Sequence, residues 1–222
     1  MIACKKSDIV ANKAYIKQVP TKAYALVGQQ KNRGIFMIGY AFCGSYCTHG
    51  ESLMAMSRFI ERGVDIQPIM SENVYTTDTR FHLAEEFRLE VEALAGRRVI
   101  HTVAEAEPLG PSMPLEALII APCTGNTLAK MAHGITDTAV TMAAKAHLRC
   151  DRPLLVALAT NDAMSQNLGN LGVLLNRKSV YFVPMKQDSP KNKPHSLVAD
   201  FSRLIECYEA MMGGEQIRPL FL

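Results

Sequence analysis

The segment LEALIIAPCTGNTLAKMAHG, residues 115–134, passes from a strand into a helix through a short polar turn. Its first part, LEALIIAP, is an apolar run of strand length, as is typical of a parallel strand covered on both faces. Leu128, Met131 and Ala132 then recur at helical spacing, and Gly134 is suited to end a helix. The segment therefore predicts one strand–turn–helix unit, with small polar residues at the turn.

The same unit recurs along the chain. Strands are predicted at 35–42, 65–70, 97–102, 153–160 and 179–184, helical periodicity lies between most of them, and residues 196–212 predict a closing amphipathic helix. Strands that alternate with helices in this rhythm indicate an α/β fold with a doubly wound parallel sheet. A length of 222 residues is simplest to interpret as a single domain.

Composition limits the other classes of protein. Residues 1–33 are polar and irregular in period and predict a peripheral N-terminal extension, followed by the α/β domain at 34–212 and a C-terminal tail at 213–222. A net charge of +3 argues for neither nucleic acid nor a membrane surface, and the longest apolar runs are only strand-sized. The six cysteines form no CxxC pair and no zinc spacing. We therefore expect a cytoplasmic protein with reduced thiols, no signal peptide and no metal site.

In a doubly wound sheet, ligands bind outside the carboxyl ends of the strands, where the strand order reverses. Three predicted strand ends carry small polar residues directly before a helix: Gly44-Ser45, Thr124-Gly125-Asn126 and Thr160-Asn161. Free amides and the positive end of a helix dipole favour a phosphate or carboxylate there. The chain has no G-x-G-x-x-G and no phosphate-binding G-x-x-x-x-G-K-[ST] motif, so a mononucleotide such as FMN fits better than a dinucleotide or ATP.

The residues alone leave simpler interpretations open. Gly44 and Gly125 could serve tight turns, while Ser45 and Asn126 cap helices. Each of the other candidate residues also has both a functional and a structural interpretation. His49 and His133 could act as acids or bases or lie at helix ends, Asp162 could accept a proton or cap its helix, and Arg80 and Lys145 could bind a carboxylate or lie in solvent.

PCTGNTLAKMAHGITD, residues 122–137, resembles the P-A-S-A-N-T-x-x-K-x-A-x-G-x-x-D motif of the homo-oligomeric flavin-containing cysteine decarboxylase superfamily. A narrower resemblance, from about residue 34 to residue 200, is to the family of dipicolinate synthase B subunits. It includes several irregular loops: TDTRF (77–81), AEPLGP (106–111), ALATNDA (157–163) and PMKQDSPKNKPHSL (184–197).

The resemblance implies a Rossmann-like fold of the flavoprotein type and a homo-oligomer. It also implies that the chain acts with the dipicolinate synthase A subunit, which carries NAD(P), to oxidise a dihydrodipicolinate-type ring, a small cyclic dicarboxylate, to dipicolinate in the mother cell during sporulation. FMN is the cofactor implied for this chain. An FMN-dependent decarboxylase or prenyltransferase, or a noncatalytic partner in the synthase, remains the alternative. Leu158 and Thr160 replace the proline and first methionine of the decarboxylases' clamp motif, and Thr124-Gly125 replaces their small pair.

The resemblance also implies roles for individual residues. Asn126 and Asp162 are the predicted catalytic residues, and Arg80 and Lys145 are predicted to neutralise a substrate carboxylate. The predicted cofactor-binding residues, which include the whole turn after the central strand, are Gly44, Ser45, Ser71, Thr124, Gly125, Asn126, Thr127 and Asn161.

Overall fold

A computed structural model describes residues 37–222, so the predicted extension at 1–33 lies outside the described residues. The strands are β1 (Met37–Phe42), β2 (Asp65–Met70), β3 (Leu118–Cys123), β4 (Leu154–Thr160), β5 (Val180–Phe182), β6 (Met185–Lys186) and β7 (Leu197–Ala199). The α-helices are α1 (His49–Glu61), α2 (Glu72–Thr76), α3 (Ala84–Ala95), α4 (Val103–Ala106), α5 (Gly125–His133), α6 (Ala139–Leu148), α7 (Leu168–Leu175) and α8 (Leu204–Met212).

The sheet has the order β2-β1-β3-β4-β7-β6, and β5 pairs with β4. Strands β2, β1, β3, β4 and β5 are parallel, while β7 runs antiparallel to β4 and β6. From β1 the chain first moves outward to β2 and then returns to the other side of β1 as β3. The strand order therefore reverses between β1 and β3, which confirms the doubly wound, mostly parallel α/β fold and locates its switch point.

The core lies on both faces of the sheet because neighbouring strand residues point to opposite sides. Tyr40 and Phe42 belong to the apolar cluster that includes residues of α1, α3 and α8. Ala41 and Cys43 belong to the cluster that includes residues of α5, α6 and α7. Both clusters contain residues of β1, β3 and β4, and β3 is buried at every position. This double cover is the physical reason for the continuous apolar runs in the sequence.

A buried polar contact fastens α1 to the centre of the sheet. The Ser52 hydroxyl donates to the Ala121 carbonyl at 2.5 Å, and the Tyr40 hydroxyl donates to the Ser52 carbonyl at 2.9 Å. All three residues are buried. Because buried hydroxyls need partners, this arrangement fixes the start of α1 against the β1–β3 boundary. That boundary is where the switch point opens.

Two predicted elements are wrong. Residues 97–102 form a single bridge rather than a strand: Ile100 pairs with Ile69 and accepts a hydrogen bond from the Met70 amide at 2.9 Å. The closing helix begins only at Leu204, because residues 197–199 form β7, which pairs antiparallel with the end of β4 and with β6. A three-residue strand that pairs with a distant part of the chain leaves no local periodicity by which it could be found.

Residues 213–222 follow α8 and contact the sheet. The Gln216 side chain accepts from the Phe182 amide at 2.8 Å and donates to the Phe182 carbonyl at 2.7 Å. The Met185 amide donates to the Leu220 carbonyl at 2.9 Å, and the Leu222 amide donates to the Met185 carbonyl at 3.0 Å. Across residues 37–222, no helix combines the length and apolar character needed to cross a membrane.

Candidate functional site

The turn between β1 and α1 presents free amide donors at the switch point. The Ser45 amide donates to the Cys43 carbonyl at 2.9 Å, and the Ser45 carbonyl accepts from both the amide and the hydroxyl of Thr48. Within residues 37–222, the amides of Gly44, Tyr46 and Cys47 have no hydrogen-bond acceptor. Three unpaired amides on a tight turn before a helix are the donors that a phosphate needs.

Ser71 lies beside this turn because β2 is the neighbour of β1. Its amide donates to the Phe42 carbonyl at 3.0 Å, so the ends of β1 and β2 are held together. Neither Ser45 nor Ser71 uses its hydroxyl to cap the following helix. The interpretation of Ser45 as a helix cap is therefore wrong, and both hydroxyls remain available beside the free amides.

The turn after β3 is stabilised by two threonines and a buried thiol. Thr124 is the N-cap of α5, and its hydroxyl accepts from the Thr127 amide at 3.3 Å. The Thr127 hydroxyl donates to the Cys43 sulfur at 3.3 Å, which links this turn to the end of β1. Burial raises the pKa of the Cys43 thiol to about 11, so it stays protonated at neutral pH. Asn126 is exposed in the first turn of α5 and does not cap it, so that interpretation is also wrong.

Gly125 packs against a polar cluster that follows β4, which we call the Asp162 cluster: Thr160, Asp162 and Asn167. The Asp162 carboxylate accepts two hydrogen bonds. Its Oδ1 accepts from the Thr160 hydroxyl at 2.5 Å, and its Oδ2 accepts from the side-chain Nδ2 of Asn167 at 2.8 Å. A Cβ atom at position 125 would lie 2.5 Å from Asn167 Nδ2, 2.6 Å from Asp162 Oδ1 and 2.7 Å from Thr160 Oγ1. Position 125 therefore needs glycine, because the side chains of the Asp162 cluster occupy the space of a Cβ.

The Asp162 carboxylate also alters the electrostatics of the α5 N-terminus. A negative charge at a helix N-terminus is stabilised by the helix dipole, and Asp162 already provides one beside Gly125. A second anion at this helix would be repelled. The phosphate of a mononucleotide therefore fits the β1 turn, and the α5 side fits a neutral ring edge. On these observations the residues present can hold an FMN-like group.

Asn161 and Asn126 are exposed at the ends of β4 and β3, which are adjacent strands. The structure thus brings the three predicted strand ends to one edge of the sheet. Sequence reasoning missed Asn167 and the role of Thr160. Asn167 is buried and bonded to Asp162, but its contact with Gly125 joins distant parts of the chain and has no local signature.

The predicted carboxylate-binding residues lie at different places. Arg80 is exposed on the loop between α2 and α3, with its guanidinium 4.9 Å from the centre of the Phe81 ring. Lys145 is exposed in the last turn of α6, which leads into the amino end of β4, so the structure does not bring it to the switch point. The motif residues Lys130 and Asp137 pair with each other at 2.8 Å. No group of three or more metal-binding side chains occurs in residues 37–222.

Asp162→Asn tests whether the cluster requires a carboxylate. We expect the free energy of unfolding to fall by about 1–2 kcal/mol. The new side-chain amide nitrogen at position 162 would face either the Thr160 hydroxyl or the Asn167 side-chain amide, and two donors cannot form a hydrogen bond with each other. Urea unfolding measures this difference. The double variant Asp162→Asn/Asn167→Asp restores one acceptor for every donor, and we expect it to recover most of the loss. Additive losses in the double variant would contradict the hydrogen-bond pattern.

Comparison with known proteins places these features in context. The chain matches the family described as Flavoprotein over residues 28–206. It is 37% identical over 185 residues to the dipicolinate synthase B subunit of Bacillus subtilis (strain 168), covering 83% of this chain and 92% of that protein. The crystal structure of the dipicolinate synthase B subunit from Bacillus halodurans C is similar with a TM-score of 0.78 and 38% identity, over 86% of this chain and 98% of that one. The FMN-dependent cysteine decarboxylase SpaF shares the fold, with a TM-score of 0.59 and 21% identity over 80% of this chain and 95% of its own.

Proposed function

Because this chain belongs to the flavoprotein family and, within it, to the family of dipicolinate synthase B subunits, we propose that it acts with the A subunit of that synthase to oxidise a dihydrodipicolinate-type ring to dipicolinate, pyridine-2,6-dicarboxylate. The observation that carries the proposal is that three polar strand ends meet at the switch point. They do so in a chain that is related to dipicolinate synthase B subunits. We propose that the reaction takes place in the mother-cell cytoplasm during sporulation and that the chain forms a homo-oligomer.

Aromatisation removes one hydride and one proton from the ring. A flavin bound to this chain, or NAD(P) on the A subunit, supplies the hydride-accepting chemistry. In our proposal the free amides of Gly44, Tyr46 and Cys47, with the hydroxyls of Ser45 and Ser71, hold the phosphate of FMN. Thr124, Gly125 and Thr127 form the side that faces the ring, and Asn161 lies at its rim.

The residues of this chain would bind and orient the substrate. Arg80 is exposed on the loop between α2 and α3 and is not in an ion pair within residues 37–222, so it can pair with a substrate carboxylate. The Asn126 carboxamide is exposed on α5 and, in that same range, makes no side-chain hydrogen bond. It can therefore donate to the second carboxylate or accept from the ring nitrogen. Asp162 acts on the site by holding the α5 N-terminus and Asn167 in place.

Asn126→Ala tests the role of this loop. We expect dipicolinate formation with the A subunit to fall by about 10²-fold, as for the loss of one oriented hydrogen-bond donor. Alanine is the better helix former at an exposed position, so a drop in rate cannot come from unfolding. Asn176→Ala, at the exposed end of α7 on the opposite edge of the sheet, is the matched control and should keep the full rate. Full activity of Asn126→Ala would rule out a role for this loop in substrate binding.

Flavin uptake is measured separately from activity. Titration of the purified protein with FMN should give saturable binding and visible absorbance bands in the bound fraction. A protein that supports dipicolinate formation but takes up no FMN would transfer its electrons to NAD(P) on the A subunit. If no variant of the switch-point residues changed the rate, the chain would be a noncatalytic partner. Loss of CO₂ from a peptidyl cysteine would instead favour the decarboxylase alternative, for which Leu158 and Thr160 are poor matches.

A further inference from the structure

A cavity lies between the turn at residues 176–179, which joins α7 to β5, and the chain that follows α8. Strand β5 begins at Val180 and runs parallel to β4, whose carboxyl end carries Thr160. The amino end of β5 is therefore at the opposite edge of the sheet from the switch point. The cavity has a volume of about 770 Å³, within the range of about 300–1,000 Å³ that is typical of sites for small molecules.

Hydrogen bonds fix the two segments that enclose the cavity. In the α7–β5 turn, the Arg177 amide donates to the Leu174 carbonyl at 3.1 Å, and the Val180 amide donates to the Arg177 carbonyl at 3.3 Å. The Gln216 side chain bonds to both backbone groups of Phe182, which fastens the chain after α8 to β5. The walls of the cavity are therefore held by the sheet rather than by a chance approach of two loops.

Three basic side chains line the cavity: those of Arg177 and Lys178 on the turn, and that of Arg218 on the chain after α8. Within residues 37–222 none of the three is in an ion pair, and no aspartate or glutamate lines the cavity. Three positive charges around one cavity repel one another when no anion is present. The electrostatics of the cavity therefore favour a ligand with several negative charges.

The backbone of the α7–β5 turn adds hydrogen-bond donors to this charge. The amides of Lys178 and Ser179 have no acceptor within residues 37–222. Ser179 lines the cavity and has a φ of 68°, in the left-handed region that residues other than glycine rarely adopt. Its carbonyl accepts from the Leu154 amide at 2.8 Å, so pairing with β4 holds this conformation in place. Free amides are suitable donors for a phosphate, and strained backbone positions cluster at ligand sites.

Two aromatic side chains line the same cavity. Tyr181, on β5, is half-buried, whereas Phe221 is 55% exposed. Residue 221 forms a bridge with Met185, which fixes the backbone that carries the phenyl ring. An exposed ring on a fixed backbone provides a face on which a flat base can stack. The cavity thus combines a site for phosphates with a site for an aromatic ring.

We propose that this cavity binds a nucleoside diphosphate, with the diphosphate on Arg177, Lys178 and Arg218 and the base against Phe221. At neutral pH a diphosphate carries about three negative charges, which the three cations balance. Arginine forms paired hydrogen bonds with phosphate oxygens, so the two arginines provide recognition of phosphate as well as charge. Because the cavity and the switch point are at opposite edges of the sheet, the inference does not rest on the proposed function.

Isothermal titration calorimetry of the full-length protein with ADP, pyrophosphate and adenosine tests the proposal. We expect saturable binding of ADP, weaker binding of pyrophosphate and no binding of adenosine, and the affinity for ADP should fall as salt is added. A protein that does not bind ADP would overturn the proposal. Equal affinities for ADP and pyrophosphate would overturn the assignment of a nucleoside, and equal affinities for ADP and adenosine would overturn the role of the cations.

Substitution of the arginines locates the binding site. Arg218→Gln removes one exposed cation, and we expect ADP to bind about tenfold more weakly, as for the loss of one hydrogen bond to a charged group. With Arg177→Gln added, the loss should reach about 100-fold. Arg58→Gln is the matched control, because Arg58 is exposed at the end of α1, is not in an ion pair within residues 37–222 and does not line the cavity. Unchanged ADP binding in the double variant would place ADP elsewhere, such as at the β1 turn, and overturn the proposal.

Phe221→Ala separates recognition of the base from recognition of the phosphates. We expect ADP to bind about tenfold more weakly and pyrophosphate to bind as in the wild type, because only the stacking face is lost. Unchanged ADP binding would overturn the position assigned to the base. Titration of each variant with FMN should match the wild type, since FMN is assigned to the switch point. A wild type that forms no dipicolinate with the A subunit would overturn the proposed function and leave the ADP result as it stands.

Discussion

Lowering the pH from 7 to 4 is expected to remove about 6 kcal/mol from the free energy of unfolding. His49 and His147 are both buried, and burial lowers the pKa of each from 6.5 to about 4. Above pH 6.5 both histidines are neutral whether the chain is folded or unfolded, and they impose no penalty. Below it the unfolded chain binds protons first, so stability is lost progressively down to pH 4, by about 3 kcal/mol for each histidine.

Urea unfolding between pH 4 and pH 8 measures this loss. Because a domain of this size typically has only about 5–15 kcal/mol of stability, we expect the midpoint to fall steeply below pH 6. His147→Gln is the informative variant. Nε2 of His147 donates to the Pro153 carbonyl at 2.9 Å, and a glutamine amide can make the same bond without titrating. It should remove about half of the acid sensitivity, and an unchanged slope would show that His147 is not held neutral by burial.

The strands that the sequence predicted well are those whose character is local. β1, β3 and β4 are covered by helices on both faces, so the sequence of each strand is an uninterrupted apolar run. This pattern can be recognised without knowing the order of the strands in the sheet. β2 was found with its bounds unchanged even though it contains Pro68, whose carbonyl still accepts from the Ile100 amide at 3.0 Å. By contrast, β7 is stabilised by pairing with β4 and β6, and nothing within its three residues indicates that.

The site shows the same division between local and long-range information. A small polar turn after each strand, together with the rule that parallel strands end at one edge, was enough to predict that Gly44, Thr124 and Thr160 would meet. The contacts that hold the site together join residues that lie far apart in sequence. Cys43 and Thr127, whose side chains are hydrogen-bonded, are 84 residues apart, and no periodicity joins them. Lys145 shows the reverse case. Its position near the end of α6 can be predicted from the local sequence, but the edge of the sheet at which α6 ends depends on the topology of the whole fold.

Gly125→Ala is expected to lower the free energy of unfolding by about 3 kcal/mol, the upper end of the range for overpacking a filled site. The new Cβ would lie within 2.7 Å of atoms on Asn167, Asp162 and Thr160, which hold one another by hydrogen bonds and cannot all move without breaking them. We expect dipicolinate formation with the A subunit to fall by about 10²-fold as well, because α5 and Asn126 would shift. Thermal unfolding and initial rates measure the two effects.

Gly172→Ala is the matched control, since a Cβ there meets nothing within 4 Å and the residue lies inside α7. Alanine should stabilise that helix by about 0.5–1 kcal/mol, because glycine is the poorer helix former. The related decarboxylase motif has alanine where this chain has Gly125, so glycine is not a requirement of the turn itself. If Gly125→Ala were as well tolerated as Gly172→Ala, the Asp162 cluster would be loose. Its carboxylate could not then be the group that keeps a second anion away from α5, and the phosphate would no longer be confined to the β1 turn.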